Sequence, residues 1–296
     1  MSNQTLVSIG IPTYNRPEGL ARTLETITSQ TFKDIEIIIS DNFSDNSKVK
    51  EVIDNFKMKD GRINSYLQST NIGAANNFEF VLEKASGNYF IWAADDDKWD
   101  GPDFLETLLK YAISNVLVFP DAVLTSNDGA NEYPLKAYEK CNDRLDYTKV
   151  FCLNGVGHPI YGLFNLKLFK DLGLEFEFDR DLSYYNEGTF LHRLFLNAPV
   201  KYVKEAKIIY NNSIARSATQ TQLNDFYKYF NRVILIYAQA DLPNEIKSDL
   251  INEIFRNYES HFRDLISKIM SENDNKEIPA VDRIKKAVKV LLKGKL

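Results

Sequence analysis

The sequence predicts an α/β fold: a mostly parallel central sheet with helices on both faces, followed by a helical C-terminal extension. Three observations predict it. Apolar strand-like runs alternate with helix-spaced segments up to Leu124. A polar cluster follows most of the apolar runs, and in parallel sheets ligands bind beyond the carboxyl ends of the strands. From Asn224 to Met270 the apolar spacing is helical alone.

Leu6 to Ile11 is a short apolar strand that stops at Pro12. Glu18 to Gln30 sets Leu20, Leu24 and Ile27 on one helical face. Ile35 to Ile39 reads as a strand running into Ser40-Asp41-Asn42, and Lys48 to Phe56 as a helix. Ile63 to Leu67 is a weaker strand before Asn71-Ile72-Gly73. Ala74 to Ala85 is helical and is stopped by Gly87. Tyr89 to Ala93 is a strand entering Asp95-Asp96-Asp97; Phe104 to Ile113 is a helix and Val116 to Leu124 a strand. Thr13 to Arg16, Asp41-Asn42, Asn71 to Gly73 and Asp95 to Asp97 should therefore meet in one crevice. Asn127 to Asp143 is a polar loop, Asp146 to Asn212 is mixed and aromatic-rich, and the helical stretch from Asn224 is interrupted near Pro243. Ser271 to Glu277 is a polar linker. Val281 to Leu296 is amphipathic, with Arg283, Lys285, Lys286, Lys289, Lys293 and Lys295 set against Val281, Ile284, Val288, Leu291 and Leu292.

Composition narrows the function classes. Hydrophobic and charged fractions of 44% and 26% are those of a soluble globular protein. A net charge of −5 lacks the basic footprint of a nucleic-acid binder. Two cysteines, Cys141 and Cys152, exclude a disulfide framework. With three histidines and 41 acidic residues, any bound metal should be a hard cation on oxygen ligands, Mg²⁺ or Mn²⁺. No basic, apolar leader is visible at the start, and no window holds the roughly 18 apolar residues that span a bilayer. The expected location is the cytoplasm. The basic tail suits either an anionic inner-membrane surface, a docked helix with a solvated face, or a homo-oligomer contact.

Neither Gly-x-Gly-x-x-Gly nor a Walker A loop follows the first strand. Carboxylates just past a strand, as at Asp95 to Asp97, suit a divalent cation with positions open for phosphate, or a solvated turn capping the helix near Pro102. Asp41 suits an acceptor for the imino N–H of a base, or an N-cap or Asx turn.

Val7-Ser8-Ile9-Gly10-Ile11-Pro12-Thr13-Tyr14-Asn15-Arg16 resembles the opening of family 2 glycosyltransferases, which have the GT-A fold. Ser29-Gln30-Thr31-Phe32, Glu36 to Asn42, Asn71-Ile72-Gly73 with Asn76 and Asn77, Ala85 to Tyr89, and Asp95-Asp96-Asp97 with Pro102 continue the likeness in order. It covers roughly the first 125 residues; the second half is similar only loosely. The resemblance implies a GT-A domain over 1–220, with a nucleotide-sugar half over 1–125 and an acceptor half over 126–220, then a helical region over 221–296. It implies that Asp97 ligates Mn²⁺ or Mg²⁺, that Asp95 contacts ribose or the ion, and that Asp96 lies close. It also implies that Asp41 reads uracil. Tyr14 suits packing against the base, with Pro12 presenting its backbone and Thr13 beside them, or ordinary loop packing; Arg16 suits a phosphate contact, or a surface position at a helix start.

The family carries an acidic pair followed by an arginine six residues after the second acid. Asn186-Glu187 and Arg193 fit that spacing, with an amide where the first acid is usual. Glu187 is the candidate base, with Asp181 and Asp179 as alternatives on the same approach. Arg193 supports its helix or binds phosphate, His158 contacts a sugar or is structural, and Arg216 contacts diphosphate or is solvated. Trp92 and Trp99 are the only tryptophans, so the Gln-x-x-Arg-Trp signature of processive synthases is absent. The expected activity is non-processive, inverting and metal-dependent. A sugar, from UDP by preference, moves to a glycan or lipid-linked acceptor of a surface polysaccharide. The alternatives are a degenerate glycan- or nucleotide-binding module and a sugar-nucleotide nucleotidyltransferase.

Overall fold

A computed structural model describes residues 7–125, 136–154, 158–182, 185–211 and 220–272. The elements run β1 (Val7–Thr13), α1 (Pro17–Thr28), β2 (Ile35–Asp41), α2 (Ser47–Lys59), β3 (Ile63–Leu67), α3 (Ala74–Glu83), β4 (Tyr89–Trp92), β5 (Lys98–Trp99), α4 (Phe104–Ala112) and β6 (Leu117–Thr125). They continue with α5 (Arg144–Asn154), β7 (Leu163–Asn165), α6 (Leu166–Asp171), α7 (Gly188–Asn197), β8 (Val200–Asn211), α8 (Gln220–Gln239) and α9 (Asn244–Glu272). Arg216, the basic tail and most of the polar linker lie outside the described residues.

The strands form one sheet in the order β3-β2-β1-β4-β7-β6-β8-β5. β1 pairs in parallel with β2 and β4, β2 with β3, and β6 with β8. β7 runs antiparallel between β4 and β6, and β5 antiparallel to β8. The sheet is thus mostly parallel, as expected. The antiparallel insertions sit in segments where no two-residue alternation marks a strand, because β7 is buried along its length.

Alternate side chains of each inner strand enter different cores, the two-residue period of a pleated sheet. Ile35, Ile37 and Ile39 of β2 and Ile91 of β4 join Leu20 and Leu24 of α1, Val49 of α2 and Leu105 of α4. Ile38, Phe90 and Trp92 face the other side with Val81 of α3 and Phe190, Leu191 and Phe195 of α7. Both faces are covered, which explains why the central strands read as near-continuous apolar runs. A third core, with Val233, Tyr237, Ile254 and Tyr258, joins α8 and α9 to Cys152 of α5 and Leu196 of α7. No helix among the described residues is long and apolar enough to cross a membrane.

Candidate active site

The four polar clusters do converge beyond the strand ends. The Asn42 amide N–H donates to the Thr13 carbonyl at 2.9 Å, and the Gln68 N–H to the Asp41 carbonyl at 2.9 Å. The Asn42 side chain donates to Asn71 at 3.0 Å and accepts from the Ile72 N–H at 2.8 Å. Asn15 donates through its backbone to Ser44 at 2.8 Å and accepts from the Asn46 N–H at 3.1 Å. Asn15 and Phe43 have φ of 56° and 64°. A bulky residue in that left-handed region is uncommon, and such strain clusters at binding sites. Phe43 is exposed, as is Tyr14, while Asp41 is buried. One Asp41 carboxylate oxygen accepts the Ser44 N–H at 2.9 Å.

The acidic turn sits against the start of α1. Gly19 makes room for it: a Cβ there would stand 2.4 Å from the Asp95 carbonyl oxygen. The Thr23 hydroxyl lies 3.0 Å from the Ala94 carbonyl and 2.7 Å from that of Asp97. One Asp95 oxygen accepts from the Thr13 hydroxyl at 2.8 Å, the other from Arg16 at 3.0 Å. The same Arg16 nitrogen reaches Asp96 at 2.8 Å. Arg16 therefore clamps the turn by pairing with two carboxylates. Burial pushes the Asp95 carboxyl above its ordinary pKa, against the opposing pull of Arg16 and Thr13. Among the described residues no group of three or more His, Cys, Asp or Glu side chains could hold a metal alone. The donor chemistry still fits a hard cation, since carboxylates on one turn can share it with phosphate oxygens.

The second half brings Glu187 to the other side. Glu187 is the N-cap residue of α7 and lines a pocket of about 130 Å³ with Asn186, Tyr161, Phe178 and the first turn of α3. Burial raises its carboxyl pKa. Burial raises the pKa of the Tyr161 phenol, which lines the same pocket, and the negative charges of Asp97 and Glu187 add to the shift. Tyr229 fits against the turn; a Cβ on Gly188 would stand 2.5 Å from its ring. Tyr229 also stacks on Tyr185, whose φ is 65°.

The other sequence candidates are engaged elsewhere. Asp181 is held by both terminal nitrogens of Arg232, at 2.9 and 2.8 Å. Asp179 accepts from Thr189 at 2.6 Å and pairs with Arg232 at 3.0 Å. Arg193 pairs with Glu177 at 3.1 Å, so its partner is not Glu187. His158 sits between the Tyr210 hydroxyl and the Pro120 carbonyl, each at 2.7 Å. That is the structural role, with burial pushing its pKa down to about 4.

Residues 8–173 match the model of the family described as glycosyl transferase family 2. The chain belongs to this family. A Campylobacter jejuni relative, a GalNAc(5)-diNAcBac-PP-undecaprenol beta-1,3-glucosyltransferase, is 29% identical over 247 residues, 81% of this chain and 75% of its own. Glycosyltransferase GlyA of Streptococcus pneumoniae is 24% identical, over 81% of this chain and 36% of its own. Staphylococcus aureus TarS in complex with UDP-GlcNAc superposes with a TM-score of 0.70 at 16% identity, over 87% of this chain and 74% of its own. A Pyrobaculum calidifontis mannosyltransferase with GDP-Man and Mn²⁺ gives 0.56 at 13% identity, over 97% and 80%. This family 2 glycosyltransferase has the GT-A fold.

Sequence reasoning overlooked Gly19, Phe43 and Tyr161 in this glycosyltransferase. Gly19 carried one signal: a glycine inside a helical pattern costs about 1 kcal/mol against alanine and calls for a packing reason. Tyr161 carried none, because its place beside Glu187 in one pocket is set by segments that no local pattern relates.

Proposed function

We propose that the protein is an inverting, metal-dependent, non-processive transferase. It moves a sugar from a nucleotide diphosphate sugar, UDP-linked by preference, to a hydroxyl of a glycan or lipid-linked acceptor in surface polysaccharide synthesis. The observation that carries this reading is geometric: the polar strand-end clusters meet at the acidic turn, and buried Glu187 lines a pocket with the first turn of α3, which follows directly on one of those clusters. A leaving diphosphate and a proton-accepting carboxylate must lie on opposite sides of the transferred sugar carbon in a single displacement.

Asp41 accepts the imino N–H of the base, and the exposed rings of Tyr14 and Phe43 cover its faces. Pro12 and Thr13 shape the floor. Asp97, with Asp95 and Asp96 beside it, holds Mn²⁺ or Mg²⁺, which neutralises diphosphate charge when bound. Arg16 keeps the Asp95 and Asp96 carboxylates close by offsetting their mutual repulsion. Glu187 accepts the acceptor hydroxyl's proton; burial, by raising its pKa, makes it a stronger base once ionised. The Campylobacter relative is named for an undecaprenol-linked acceptor, which supports a lipid-linked glycan here.

A nucleotide-release screen of UDP-, GDP- and dTDP-sugars with Mn²⁺ and glycan acceptors tests the proposal. Release from UDP-sugars that rises with acceptor is expected. No turnover with any donor would instead favour a binding module.

A further inference from the structure

The pocket beside Glu187 has walls of unusual chemistry for a site that handles hydroxyl-rich sugars. Ala74, Ala75 and Ile160 present methyl groups, and Phe78 and Phe178 present ring edges or faces. The Arg180–Glu79 ion pair ties the Phe178 segment to α3, so the two walls are fixed to each other. Besides the Glu187 carboxylate, two residues bring polar groups to the lining, Asn186 with its amide and Tyr161 with its hydroxyl. Neither makes a side-chain hydrogen bond to a described residue. A sugar hydroxyl pushed against methyl walls would lose water and gain no hydrogen bond in return. A group that is apolar at one end and an amide at the other would suit both surfaces.

Resting on the function proposed above, we infer that this pocket is a subsite for the acetamido substituent of an N-acetylhexosamine. Its volume is about 130 Å³, room for a substituent of a few atoms. An acetamido group has four non-hydrogen atoms, and a pyranose ring with its hydroxyls is larger. The methyl packs on Ala74, Ala75 and Ile160. The carbonyl accepts from Tyr161 or the Asn186 amide, and the N–H donates to the Asn186 oxygen. The amide at position 186 has a use here that a carboxylate lacks, because it both donates and accepts. An acetamido group on C2 is flanked by C1 and C3. Seating it beside Glu187 therefore brings either the reacting carbon of a donor or the 3-hydroxyl of an acceptor to the base.

Calorimetry on the full chain with Mn²⁺ tests this in two arms. The donor arm compares UDP, UDP-glucose, UDP-galactose and the two N-acetylated UDP-sugars. The acceptor arm adds, with UDP present, methyl glycosides of glucose and galactose against their N-acetylated counterparts. In one arm the N-acetylated sugar should bind roughly ten-fold tighter, the effect of burying a methyl and making one amide hydrogen bond. The arm that shows it identifies the source. Ala75→Leu fills the pocket and should reduce the ratio to about two-fold while UDP still binds. Asn186→Ala should lower the ratio several-fold, and it decides the matter if Ala75→Leu fails to fold. A ratio near one in both arms, or a ratio unchanged by these variants, overturns the subsite. Binding of N-acetylated glycosides without any binding of UDP would overturn the donor reading and leave the subsite standing; binding of neither overturns both.

Discussion

Replacing Gly19 by alanine probes how closely the acidic turn must approach α1. The new Cβ would lie 2.4 Å from the Asp95 carbonyl oxygen and 3.3 Å from the Asp96 Cα. An ordinary contact begins at 3.4 Å, so about 1 Å of movement is needed, and the obstacle is backbone, which cannot swing aside. Alanine gains about 1 kcal/mol of helix propensity, while overpacking costs about 1–3 kcal/mol. The net loss of stability should be small, between about 0 and 2 kcal/mol. The functional loss should be larger, since a 1 Å misplacement at a reacting centre can cost about 10²-fold. Calorimetric UDP affinity with Mn²⁺, sugar transfer and urea unfolding are the assays. Gly61→Ala is the control, because its Cβ would meet nothing within 4 Å; it should stay within about 0.5 kcal/mol of the parent. A Gly19→Ala protein that binds UDP and transfers sugar within two-fold of the parent would refute the argument.

Five further outcomes are expected. Asp97→Asn should weaken Mn²⁺-dependent UDP binding by at least ~10-fold, by loss of a charged oxygen ligand; unchanged calorimetric affinity would sink the assignment. Glu187→Gln should bind donor normally and lose transfer by roughly 10²–10⁴-fold, and near-normal transfer would redirect attention to Asp181. The raised Glu187 pKa sets a pH signature too. The base must be ionised, so kcat should fall on acidification at a pH above the ordinary glutamate range, and an acidic limb within that range would contradict the burial argument. Gly188→Ala should lower kcat more than it raises the donor KM, because the Cβ, 2.5 Å from the Tyr229 ring, displaces the turn carrying Glu187; equal kcat would show that the turn is not gripped. Buried His158 and His192 stay neutral in the fold, with pKa near 4 and 3, whereas the unfolded chain protonates them below about 6.5. Their stability contribution is complete above pH 6.5 and is lost as pH falls towards 4, by roughly 3 kcal/mol for His158. A urea midpoint that stays flat from pH 7 to 4.5 would disprove it.

The donor half was legible because its signals are local. Ile35 to Ile39 is buried on both faces and so reads as an apolar run, and the polar residues that close each strand announce where it ends. The second half was harder. β7 is three residues long and wholly buried, and the aromatic residues around it pack into one core from several elements. Arg193 was rightly seen as an ion-pair former, but its partner, Glu177, lies on a loop whose path no periodicity describes.

By itself the sequence determined the alternating α/β order, the four polar clusters at strand ends, the acidic triplet and the likeness to family 2. Each is written in neighbouring residues or in short spacings. Only the tertiary structure decided which charges meet. Arg16 clamps Asp95 from 79 residues away, where the sequence suggested a phosphate. Tyr161 and Glu187 come to line one pocket, and Gly19 yields its side-chain space to the acidic turn. The physical reason is range. Hydrogen-bonding pattern and amphipathicity are properties of a segment, whereas the pairing of a buried charge and the clearance for a backbone depend on which segments the sheet order sets side by side.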